Sequence, residues 1–96
     1  MLKSKEGVEK GEVGFYLKAL SLKSLEDVKS IKEDVSNRFI VILRITPLAN
    51  KDVGQLKEAV EELYQFITAI GGDIARLGEE RIVLTPPGVK IWRGLV

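Results

Sequence analysis

Few residues in this 96-residue chain are equipped for chemistry. Cys and His are both absent, which removes thiol nucleophiles, disulfides, imidazole bases and the usual zinc ligands together. Carboxylates remain, at Glu26, Asp27, Glu33 and Asp34 and again at Glu58, Glu61 and Glu62. Paired carboxylates can hold a cation or move protons. Here they fall opposite apolar stripes of helical period, as solvated faces with intrahelical ion pairs do. Gly71-Gly72-Asp73 could cradle a phosphate, but a phosphate loop follows a strand and opens a helix. Here the order is reversed, so the glycines read as a helix stop and a tight entry into a strand. No nucleophile, base and oxyanion donor converge, and no cofactor or metal is implied. Arg76 and Ile82 form another pairing of interest, a cation and a β-branched apolar residue on adjacent predicted strands. Tyr64, Phe66 and Trp92 are the remaining large side chains and point to no chemistry of their own.

The elements that must position these residues follow from hydrophobic period and turn chemistry. Residues 1–14 alternate charge with glycine and carry too little apolar surface to repay ordering, so a flexible tail is expected. Phe15 to Leu22 read as a first strand. Ser24 is placed to cap a helix whose Leu25, Val28, Ile31 and Val35 share a face, with Glu26 and Asp27 at its positive end. Arg38 to Ile45 is the most β-prone run, with Phe39, Val41, Leu43 and Ile45 on one side and Ile40 and Ile42 on the other. Pro47 and Asn50 mark a loop. Asp52 and Gln55 form a capping box for a long helix striped by Val53, Leu56, Val60, Leu63, Ile67 and Ile70. Asp73–Leu77 and Arg81–Thr85 make a hairpin around Gly78, and Pro86-Pro87-Gly88 turns the chain into a short last strand at 89–93.

The order β-α-β-α-β-β-β gives an α+β fold, with two helices packed on one face of a mixed, largely antiparallel sheet of four to five strands. The core domain spans 15–93, and 94–96 is a short C-terminal tail. Two helices cover one sheet face only. Ile40 and Ile42 on the other face call for a cover, and a domain this small buries only about 60% of its extended-chain surface. A second copy is the expected cover. The net charge of +1 argues against a nucleic-acid binder working by bulk electrostatics. The chain lacks an apolar run of the roughly 20 residues needed to span a bilayer and lacks a signal-peptide pattern, so it reads as cytoplasmic.

The run Ala69-Ile70-Gly71-Gly72-Asp73-Ile74, then Arg76-Leu77-Gly78, Ile82-Val83-Leu84-Thr85-Pro86 and Val89-Lys90-Ile91, resembles the SepF family of cell-division proteins, in its archaeal SepF-like form. The resemblance covers roughly residues 15–93. It implies a dimeric α/β domain that binds the C-terminal tail of FtsZ and sits at the inner face of the cell membrane at the division site, held by a separate N-terminal amphipathic helix. Residues 1–14 depart from that pattern, because Gly7, Gly11 and Gly14 interrupt any such helix. The resemblance further implies a tail-binding role for Arg76 and Ile82, the latter often aromatic in bacterial members, and an assembly role for Gly71 and Gly72. The resulting expectation is a non-enzymatic adaptor, dimeric without forming filaments. The competing expectation, from size and architecture alone, is a dimeric small-ligand regulatory domain.

Overall fold

A computed structural model describes residues 14–94. The expected tail at 1–14 therefore lies, Gly14 apart, outside the described residues, as do Leu95 and Val96. The elements are β1 (Tyr16–Ser21), α1 (Asp27–Ser36), β2 (Phe39–Arg44), α2 (Thr46–Lys51), α3 (Val53–Ala69), β3 (Asp73–Leu77) and β4 (Arg81–Thr85). The sheet runs β1-β2-β4-β3, with β1 parallel to β2 and the other two pairings antiparallel. This is the expected α+β fold with a mixed sheet, although it has three helices and four described strands.

The apolar stripe of α1 holds as expected, with Val28, Ile31 and Val35 buried. Its start differs. No side chain caps the first-turn N–H groups, and the Asp27 carboxylate instead reaches back to accept the N–H groups of Lys23 (2.8 Å) and Ser24 (3.2 Å). Two residues past the helix stands Arg38, which has φ of 74°, a left-handed conformation usually taken by glycine. Its guanidinium then reaches the start of β1, bonding the Gly14 carbonyl at 2.8 Å and lying 4.5 Å from the centre of the Phe15 ring. Lys18 joins the middle of β1 to α1 through Asp34 at 3.1 Å.

The stretch expected to be a loop around Pro47 forms the short helix α2. Proline suits the first turn of a helix, where its missing N–H and fixed φ cost nothing. Leu48 is fully buried there, and its N–H donates to the Leu22 carbonyl at 3.1 Å. Asp52 then breaks the helix with an extended backbone and starts the next one, its Oδ1 accepting Gln55 N–H at 3.1 Å. That is one arm of the expected capping box. In α3 the buried line is Ala59, Leu63 and Ile67, and Val53 is 58% exposed. Val53 thus falls off the stripe, and Ala59, outside it, is fully buried.

The expected fifth strand is replaced by an extended segment held by a side chain. Asp73 accepts the Ile91 N–H at 2.9 Å and takes the Arg93 guanidinium on both oxygens, at 3.0 and 3.1 Å. Its carboxylate supplies the acceptor that a neighbouring strand's carbonyl would have supplied in a ladder. Buried Thr85 completes the clamp, accepting from Asp73 N–H at 2.8 Å and donating to the Val89 carbonyl at 2.7 Å.

Candidate functional site

Side chains alternate across a sheet, so the registers fix which residues share each face. The pairs Val41–Leu84 and Leu43–Ile82 lie beneath the helices, and all four residues are buried. The opposite face then carries three rows across the strands. The first, past the end of the β2–β4 pairing, is Leu17 with Ile40 and Thr85 with Asp73; the second is Ala19, Ile42, Val83 and Ala75; the third is Ser21, Arg44, Arg81 and Leu77. No described helix covers these rows. The segment held by Asp73 closes one corner, leaving Leu17 67% exposed and Ile40 and Ile42 half-buried. Exposed Leu17 and Ala19 join these isoleucines in an apolar strip, which suits packing against another sheet.

Arg76 and Ile82 are register partners on β3 and β4, so the structure brings them side by side. It does not present them alike. Ile82 is 4% exposed and belongs to the core, because its pairing with Leu43 turns it toward the helices. Ile82 is thus a floor beneath the hairpin rather than an exposed side chain. Arg76 is exposed, with Nε and one terminal nitrogen directed at the Gly78 and Glu79 carbonyls of its own turn, at 3.4 and 3.2 Å.

Gly71 has φ of 84° and open space at its Cβ position. Gly72 is confined: a Cβ would collide with the Thr85 carbonyl oxygen and stand 3.1 Å from an Ile67 methyl group. The constraint on Gly72 is thus set inside the subunit, between the end of α3 and β4. Ile40 and Ile42 lie on the uncovered face, apart from this junction.

Among the described residues, the one strongly perturbed acid is Asp73. The Arg93 hydrogen bonds, followed by the N–H groups of Ile91 and Ile74, hold its pKa at about 2 against an ordinary 3.8, although partial burial opposes them. Every one of those contacts serves the clamp, so this is a structural acid. Among the described residues no three carboxylates come together as metal ligands. A surface groove of about 340 Å³ lies between α1 and α3, floored by Phe66 and edged by Lys29, Lys32 and Glu33. Lys32 is engaged with Glu62 at 2.9 Å. Tyr64 and Trp92 are exposed, at 52% and 86%. No helix among the described residues is long and apolar enough to cross a membrane.

The register also sets together two residues that sequence reasoning did not single out, Arg44 and Arg81. Their only signal is that one ends the apolar run of β2 and the other opens that of β4, so antiparallel pairing sets them opposite each other.

Comparison with known proteins gives a consistent result. The family model described as "Cell division protein SepF" matches residues 18–91. The chain is 30% identical over 84 residues to the cell division protein SepF of Haloferax volcanii, covering 88% of this chain and 70% of that protein. Among solved structures it resembles a SepF-like protein from Archaeoglobus fulgidus, with a TM-score of 0.77 and 28% identity over 84% of this chain and 96% of that one. A SepF-like protein from Pyrococcus furiosus matches with a TM-score of 0.75 and 30% identity, over 88% and 100%. SepF from Methanobrevibacter smithii, solved in complex with FtsZ-CTD, shares the fold with a TM-score of 0.73 and 21% identity, over 83% and 100%.

Proposed function

Because this chain belongs to the SepF family of cell division proteins, we propose that it is a non-enzymatic adaptor whose homodimer captures the C-terminal tail of FtsZ. The observation that carries the reading is the family match across 18–91, which takes in most of the sheet and all three helices. A relative with the same fold has been solved in complex with FtsZ-CTD, which supports the choice of partner. The dimer forms through the uncovered face around Ile40 and Ile42, removing apolar strip from water at about 25 cal/mol per Å². Arg76 offers its guanidinium to the tail from the hairpin, while Ile82 holds that hairpin in place from below. Gly71 and Gly72 set the approach of α3 to β4 and so keep the subunit in the shape that dimerises.

Two equal sites on a dimer facing a polymer with many tails combine weak contacts into firm attachment. Linkage to the membrane at the division site is assigned to a separate amphipathic segment, as in the family. The test is co-sedimentation with FtsZ filaments. The protein is expected to pellet with intact FtsZ and to remain in the supernatant when FtsZ lacks its tail; equal pelleting in both cases would refute tail capture.

A further inference from the structure

We propose that Arg44 and Arg81 form a carboxylate-binding site at the rim of the uncovered sheet face, and that its occupant is an acidic residue or terminal carboxylate of the captured tail. The inference rests on the tail-capture reading above and names a contact within it. Arg44 and Arg81 are direct partners in the antiparallel β2–β4 pairing and share one face. Like charges opposed in this way destabilise a sheet, so packing within the subunit gives no reason to keep them. Of the chain's five arginines, Arg38 is held by the Gly14 carbonyl and Arg93 by Asp73, while Arg76 stands apart on the hairpin. Arg44 and Arg81 are exposed, and none of the described ion pairs includes either one.

Both line a groove of about 270 Å³ whose other walls are Ala19, Leu20, Ser21 and Ile42. Two guanidinium forks beside a hydroxyl and an apolar floor fit a ligand that is anionic at one end and apolar next to it. A peptide with a carboxylate and a neighbouring apolar side chain has that form, and planar forks match a carboxylate with paired hydrogen bonds. The groove also runs beside β1, the terminal strand of the described sheet. An extended peptide can lie along that strand with its side chains directed into the groove. The site stands in the last row of the face, beyond Ile42, so it stays at the margin of a dimer centred on the isoleucines, where charged groups belong.

The experiment is a thermodynamic cycle by calorimetric titration. The proteins are the wild type and the double variant R44T/R81T; the peptides are the FtsZ tail and the same tail with its acids converted to amides and its terminus amidated. Threonine keeps β propensity at both positions. We expect the double substitution to weaken binding of the acidic tail about tenfold or more. It should change binding of the neutral tail by much less, which is the signature of direct coupling. The melting temperature of the variant should stay level or rise as the like charges are removed. Undiminished binding of the acidic tail by the variant overturns the assignment, as does an equal loss toward both peptides. A lower melting temperature with undiminished binding makes the pair a feature of the fold and also overturns it. Failure of the wild type to bind either tail is a separate outcome and counts against tail capture itself.

Discussion

At Asp73, one side chain does the work of a strand. Its two oxygens take Arg93, Ile91 N–H and Ile74 N–H together, and this network draws the pKa down to about 2. A lowered acid contributes stability while it is ionised in the folded state; the contribution is whole above the ordinary value of 3.8 and is lost as pH falls through about 2. We therefore predict that Asp73→Asn lowers stability at neutral pH by about 1 kcal/mol, a figure kept small because the Arg93 side chain is 51% exposed. The gap in melting temperature from the wild type should close as pH falls from 3.8 toward 2, and a gap constant with pH would contradict the assignment. None of this was legible in the sequence. The partners stand 20 positions apart, and nothing in Val89–Arg93 distinguishes a ladder strand from a segment tied by a side chain. Ile82 teaches a related lesson, since alternation groups residues by side, while only the pairing with Leu43 tells which side the helices cover.

At the level of elements, period and capping signals placed most of the fold. The faces of α1 and α3, the β-prone run of β2 and the Gly78 hairpin were all readable, because each is written in residues close along the chain. The short helix α2 was not, because Pro47 and Asn50 suit a loop as well as a first turn and a helix end. The junction from α3 to β3 shows how two adjacent glycines serve different needs. Gly71 supplies a positive φ with room around it, and Gly72 supplies the absence of a Cβ against the Thr85 carbonyl. Gly71→Ala is predicted to cost about 1 kcal/mol, the strain of a left-handed residue. Gly72→Ala should cost about 3 kcal/mol, because backbone must shift to admit the methyl group. Denaturant unfolding of both variants checks the order, and a Gly72→Ala protein as stable as Gly71→Ala would refute the close approach.

For the whole molecule, the decisive feature is a sheet with helices on one face and an apolar strip on the other. A sheet face of this kind is stable in water when it meets another surface, and the sequence already signalled the need through Ile40 and Ile42. The rim arginines emerged only from the register, because neither residue carries any mark of pairing in the chain. The wild type is predicted to be a dimer without filaments, and Ile42→Glu, which sets a charge in the middle row, to be a folded monomer. Light scattering at rising concentration reads this directly, and a dimer that survives the substitution would move the interface elsewhere. Capture of the FtsZ tail is the claim on which the functional account turns. It is tested most directly by calorimetric titration of the protein with the tail peptide of FtsZ from the same organism, against a scrambled peptide. The account predicts saturable binding of about one tail per subunit and none with the scrambled control; absence of binding to the true tail, or equal binding to both peptides, would contradict it.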